Sequence, residues 1–219
     1  MAMGKKLVYW SGLLGVLLFV GAALLGALQI EDYNPISQYI SETYATGTPY
    51  GEKLRYFGYL PSGLLLTAFA FLARNHFPKN SFVKLGFWGL AVFYGMATVL
   101  VALFPCDAGC NKAFIDPSIS QIIHNLIGFL TYAFVPLSII LIGIGLRQHK
   151  VYAAFTNLTV GCGLFSMLFV GLLFADPLSD FAGLYQRIIE GTFMLWIVVC
   201  SLFIKNSSTP LIKERGNGL

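Results

Sequence analysis

Charge is scarce in this chain. Asp, Glu, Lys and Arg together make up 11% of its 219 residues, whereas soluble domains carry roughly 25%. No polar stretch is long enough to fold as a separate water-soluble domain, so a single unit spanning 1–219 is expected. Histidine is rarer still: His76, His124 and His149 are the complete set. They form no HExxH or other paired-His spacing, which removes the usual zinc-hydrolase signature. No DNA- or RNA-binding motif occurs, so nucleic acid is not an expected partner. The net charge of +4 instead reads as basic loops lying against anionic headgroups.

Apolar residues are abundant. They make up 57% of the chain, and the mean hydropathy is +0.73. Six apolar runs approach or exceed the ~20 helical residues needed to cross a hydrocarbon core. They lie near Leu7–Ile30, Tyr56–Ala73, Val83–Phe104, Ile122–Leu146, Tyr152–Phe174 and Ile188–Ile204, the second and sixth being shortest. The runs are continuous rather than alternating, and lipid forces backbone groups to pair within each segment, so helices are expected and a barrel is not. The predicted fold is all-α: a polytopic bundle of six transmembrane helices. The first run is far longer than the roughly 7–15-residue apolar core of a signal peptide and reads as a retained helix.

Orientation follows from Lys and Arg in short loops. Ten of the 14 basic residues, from Lys5 and Lys6 to Lys213 and Arg215, fall on one side of these runs. Lys53, Arg55, Lys112 and Arg187 fall on the other, with every acid except Glu214. The basic side is predicted to be cytoplasmic, with both termini inside, in a multi-pass protein of the cell membrane. His76 and His149 then lie on the opposite face from His124, which excludes a bis-histidine haem. No cofactor is expected.

The acidic side carries the informative motifs. The stretch "IEDYNPISQYISETYATGTPYGEKLRYFGYL" (30–60) is acidic and rich in tyrosine, with scope for an interfacial helical turn from Ile36 to Thr43. The third run ends "LFPCDAGC" and the fifth "LFADPLSD"; the runs that follow open "SQIIHNLIGF" and "YQRIIEGTFM". Allowing a one-residue shift, Gln121 aligns with Gln186 and His124 with Glu190. "PISQYIS" in the first loop echoes "PSISQII" before the fourth run.

Gln121, His124, Gly128 and Tyr132 recur at three- and four-residue steps and share one helix face. His124 can be a helix-end histidine bonded to a loop carbonyl, or a proton carrier or ligand contact, since ionisable groups within membrane helices usually face the interior or a wet cavity. Arg187 and Glu190 sit three residues apart and can pair with each other. Alternatively, the planar fork of Arg187 could hold phosphate or carboxylate, freeing Glu190 to partner His124. Asp107 and Asp176 each follow a helix end, where a turn role competes with acid–base work. Cys106 and Cys110 flank Asp107. A disulfide closing "CDAGC" is the first reading outside the cytoplasm; zinc held by the two thiols, Asp107 and His124 is the lesser alternative, and no metal site is assigned. Cys162 and Cys200 read as packing residues, Tyr9 and Trp10 as interfacial anchors.

Three of these motifs carry a family resemblance. "YISETYATGTPYGEKLRYFGYL" (39–60) resembles the outer-loop signature of the Frag/DRAM/Sfk membrane proteins. Together with "FPCDAGC" and "IIHNLIGF" it is more similar to their bacterial and archaeal relatives, domain of unknown function family 998. The resemblance implies six helices with both ends inside. It singles out Ser41, Glu42, Asp107 and His124, and associates the wider group with lipid metabolism and distribution. "ISETYATG" is longer than the eukaryotic pattern before its Gly-Thr, so loop detail does not transfer.

The expected site is an outward-facing polar pocket in which Asp107, His124, Arg187 and Glu190 converge, with Asp176 at the rim and Ser41 and Glu42 capping it. Membrane lipids are the expected partners, bound or handled without chemistry. The rival readings are a membrane-embedded lipid hydrolase or transferase using His124 with Glu190 or Asp107, and a small proton-coupled transporter. The sequence does not fix an oligomeric state. Alkaline phosphatase, active only outside the cytoplasm, is expected to be inactive when fused after Leu219; an active fusion would invert the predicted topology.

Overall fold

The computed structural model describes residues 3–207; Lys213, Glu214, Arg215 and the polar tail from 208 onward lie outside the described residues. Six helices of 23 to 28 residues are long and apolar enough to cross a membrane. They are α1 (Met3–Leu28), α2 (Gly51–His76), α3 (Ser81–Leu103), α4 (Ile119–Leu146), α5 (Lys150–Ala175) and α6 (Ala182–Asn206). At ~1.5 Å of rise per residue each reaches roughly 35–40 Å, enough for the hydrocarbon layer and part of both interfaces. The molecule is an integral, multi-pass membrane protein.

Each helix packs on its neighbours in sequence, and α6 returns to α1, closing a ring. The loops 29–50, 104–118 and 176–181 gather at one end, called here the acidic end. The short connections 77–80 and 147–149 lie at the other, the basic end. Every helix begins farther out than its apolar run suggests, while α1 and α3 finish slightly short of theirs. α2 begins at Gly51 and takes in Glu52, Lys53 and Arg55; α6 begins at Ala182 and takes in Gln186 and Arg187. These polar residues are helical, standing where the ends of the helices leave the apolar layer.

Local chemistry fixes the ends. Asn80 caps α3, its Oδ1 accepting from Val83 N at 2.9 Å, while its Nδ2 donates to Gly145 O at 2.8 Å and ties α3 to the end of α4. Ser118 caps α4 by accepting from Gln121 N at 3.1 Å. Two helices carry a wider π-turn, Arg55–Tyr59 in α2 and Ala91–Met96 in α3.

Toward the basic end the inside of the ring is filled with aromatic rings. Phe77, Phe155 and Phe203 cluster with near-parallel planes, their centroids 5.6 Å (Phe77–Phe155), 4.6 Å (Phe155–Phe203) and 6.1 Å (Phe77–Phe203) apart. Trp196 is wholly buried, and its Nε1 donates to Thr159 Oγ1 at 3.0 Å. Helix contact is close where α2 meets α3: a Cβ on Gly63 would lie 2.7 Å from Val99 N and 2.8 Å from Gly95 O. A side chain there must separate two backbones, as expected of small residues at membrane helix interfaces. Gly63→Leu is therefore predicted to destabilise the bundle by about 1–3 kcal/mol, read as a lower melting temperature in detergent.

Candidate functional site

The site begins with the first loop, which folds over the acidic end as a roof. Arg187 on α6 holds it down. Its Nη1 donates to the carbonyls of Pro35 and Gln38, each at 2.7 Å, and to Gly183 O at 3.0 Å; its Nη2 bonds Tyr33 Oη. Leu184 N adds a bond to Ile36 O at 2.8 Å. Gly183 permits this approach, because a Cβ there would collide with the Gln38 backbone.

Glu42 organises the roof from within. Its Oε1 accepts from Tyr39 N at 2.8 Å and pairs with Lys112 Nζ, also at 2.8 Å; its Oε2 accepts from Gln38 Nε2 at 3.1 Å. The 3-10 turn that follows, Ile40–Tyr44, is buried throughout. Tyr39 donates to Pro177 O at 2.6 Å, joining the roof to the end of α5. Burial, then the charges of Glu42 and Asp176, push Tyr39 up to about 12, so it remains a proton donor at physiological pH. Burial chiefly, and Glu190 next, raise Tyr44 as well.

The loop between α3 and α4 closes on a Cys106–Cys110 disulfide with Cα atoms 4.8 Å apart, inside the range that bridging needs. Gly109, Cys110 and Asn111 all take positive φ in this turn. Ser41 Oγ lies 3.2 Å from Cys110 Sγ. With both sulfurs joined, no thiolate is available for zinc.

Asp107 turns away from the interior. Its carboxylate accepts from Ser118 Oγ at 2.5 Å and Ser118 N at 3.0 Å, and these bonds hold it below the usual carboxylate range. A depressed carboxyl contributes stability that is full above its unfolded value and lost as the pH falls through the folded one. Asp176 is exposed and accepts from Leu178 N at 3.2 Å, the side-chain turn typical of Asp before a bend.

Beneath the roof is a cavity of about 310 Å³. Ser41, His124 and Glu190 contribute to its wall; Glu42, Asp107, Asp176 and Arg187 do not. The expected convergence of Asp107 and Arg187 with His124 and Glu190 is therefore not what the structure contains. The first two are consumed by loop backbone, and Glu42 by Lys112 and its own turn. Depth along a helix was a sound guide; direction around it was not available from depth.

His124 is 8% exposed, with Nδ1 2.9 Å from the Phe104 carbonyl. A carbonyl only accepts, so Nδ1 carries a proton, and in the neutral ring Nε2 keeps its lone pair. Glu190 is 7% exposed. Tyr132 Oη donates to its Oε1 at 3.0 Å and Tyr94 Oη to its Oε2 at 2.9 Å. Tyr132 in turn accepts from Gln186 Nε2 at 2.9 Å, while Gln186 Oε1 accepts from Ile40 N at 2.6 Å. One relay thus runs from the roof backbone to the buried acid. Tyr94 and Lys112 were missed as site residues. The only trace of Tyr94 in the sequence is a hydroxyl-bearing residue within an apolar run, with Thr98 one turn further on.

The cavity has an open side. Asn125 and Phe129 on α4, Phe174 on α5 and Pro177 just beyond it all border the cavity and are all exposed. Phe129 and Phe174 stack with centroids 5.4 Å apart. The mouth therefore lies between α4 and α5. Only 28% of the apolar window of α5 is buried, against 56% in α3 and α6, so the mouth is flanked by the helix most given over to lipid.

A six-helix membrane protein with a roofed, side-opening cavity is the class these features define. The chain belongs to the family described as protein of unknown function (DUF998), whose family model matches residues 13–202. No curated protein and no solved structure matches it.

Arg187→Lys is predicted to loosen the roof. A lysine ammonium cannot span the same carbonyls with a planar fork, and losing one or two charge-assisted bonds costs about 1–3 kcal/mol. Faster amide exchange across residues 33–46 would report it.

Proposed function

We propose that the protein binds an amphipathic membrane molecule, a lipid or a compound of lipid-like build. Its polar head sits in the cavity and its chain leaves between α4 and α5. The observation that carries this reading is the mouth bordered by the exposed rings of Phe129 and Phe174. Aromatic rings at the mouth, with His124 and Glu190 among the few ionisable groups in a largely apolar wall, suit a ligand with both kinds of surface. The roof above and the aromatic filling toward the basic end leave the side as the natural route. The charge asymmetry of the loops supports an outer-face position for this end in the cell membrane. The same filling speaks against a proton-coupled carrier, which needs a path from one end of the ring to the other.

One observation favours a second reading, a hydrolase or transferase. With Nδ1 held by the Phe104 carbonyl, His124 presents Nε2 as a general base, which needs only a nucleophile or water within about 3 Å. Asp107 has no place in such a mechanism, because its oxygens bond Ser118.

Gly128 offers a clean test. It lies in the cavity wall, and a Cβ added there meets no atom within 4 Å. Gly128→Trp should fill the cavity while sparing the helix packing. Protein released from native membranes into a mass spectrometer is expected to carry bound lipid, and the tryptophan variant roughly tenfold less, a change of about 1.4 kcal/mol. Equal retention by both would sink the binding reading. His124→Ala is expected to leave retention intact; loss of a lipid-converting activity in that variant would select the enzyme.

A further inference from the structure

We propose that the head of the bound amphiphile carries a cationic nitrogen, seated on Glu190 within the rings of Tyr44, Tyr94 and Tyr132. The inference rests on the reading of the cavity as an amphiphile site and names the charge of its ligand.

Glu190 is a buried acid for which, among the described residues, no basic side chain serves as partner. Arg187, one turn earlier on the same helix, has its donors on loop carbonyls and Tyr33. Lys112, also in the wall, is paired with Glu42 at 2.8 Å. His124 directs its Nδ1 at the Phe104 carbonyl. The protein has brought three cationic or titratable nitrogens near this cavity and directed none at its acid.

The hydrogen bonds fix what Glu190 can accept. Tyr132 Oη already accepts from Gln186 Nε2, so its own proton goes to Oε1. Tyr94 occupies Oε2 in the same way. A carboxylate oxygen has two acceptor positions, so each retains one beside the cavity. Uncharged donors alone compensate a buried carboxylate poorly; an opposite charge compensates it better. An anionic head placed there would meet like charge.

The surrounding rings suit the same ligand. Tyr44, Tyr94 and Tyr132 all border the cavity. Ring faces attract a cation within about 6 Å of their centroids, most strongly where water is excluded. A carboxylate ringed by tyrosines is a receptor for an ammonium group, whether a primary amine or a quaternary nitrogen, and the mouth accommodates the attached chain.

The test uses the full chain in nanodiscs of an uncharged galactolipid. Dodecyltrimethylammonium, 1-dodecanol and dodecyl sulfate are titrated in turn, and binding is read by native mass spectrometry against the Gly128→Trp variant as background. The cation is expected to bind roughly tenfold or more tighter than the alcohol, as for a charge-assisted contact, and the sulfate not above background. Glu190→Gln, which keeps the shape and acceptor oxygen of the side chain, is expected to lose that preference while still binding the alcohol. Equal binding of cation and alcohol to the native protein would overturn the inference and leave the amphiphile reading standing. So would sulfate binding as tight as the cation, or a preference that survives in Glu190→Gln. If none of the three exceeds the Gly128→Trp background, the amphiphile reading fails, and this inference with it. The sulfate comparison needs no variant at Glu190 and decides the question even where that substitution does not fold.

Discussion

A single guanidinium sets the architecture of the acidic end. The first loop brings a run of backbone carbonyls to the edge of the apolar layer, where unpaired groups are expensive. Arg187 meets those of Pro35 and Gln38 together and draws the loop onto α6. Once the loop is down, Tyr39 reaches Pro177 and Lys112 reaches Glu42 and Ser37 O, so α5 and the loop between α3 and α4 are fastened to the same cover. The space left below opens between α4 and α5, where no polar strap crosses among the described residues.

Much of this was readable in advance, and what was not has a physical cause. The six spans were legible because apolar length is a direct consequence of membrane thickness. Their ends read short at Gly51 and Ala182 because Arg55, Gln186 and Arg187 are helical residues with polar side chains, and composition alone assigns such residues to loops. His124 and Glu190 were placed at one depth, and both do border one cavity. Asp107 was placed with them because it is acidic and near; in the fold Ser118 caps α4 and takes both its oxygens. Arg187 and Glu190 stand three residues apart, yet one reaches out to the roof and the other inward. Spacing gave the shared turn of helix but not the competition from loop carbonyls that draws the arginine away.

The similarity between the two helical openings has a structural counterpart. Gln121 accepts from Asp107 N and Gln186 from Ile40 N, so each glutamine satisfies a loop amide at the acidic end. His124 and Glu190 follow one turn further in, and each is held by a neutral group: a carbonyl for the histidine, tyrosine hydroxyls for the acid. Two helices thus supply one basic and one acidic group to the same space by similar means, with the disulfide-closed turn beside the histidine and the roof beside the acid.

The π-turns in α2 and α3 make phase, rather than span, the quantity that matters in those helices. Each wider turn takes in more residues than an α-helical turn of the same height, so the face presented beyond it is rotated relative to the face before it. Tyr59 and Tyr94 stand inside these two turns. Removing one residue from Ala91–Met96 would shorten α3 by only ~1.5 Å but swing everything on one side of the deletion by about 100° relative to the other. A membrane would scarcely register that change in length. The cavity would, because either Tyr94 and Thr98 or the contacts of the opposite half with α2 and α4 would then point elsewhere. In these two helices, the number of residues is a statement about direction.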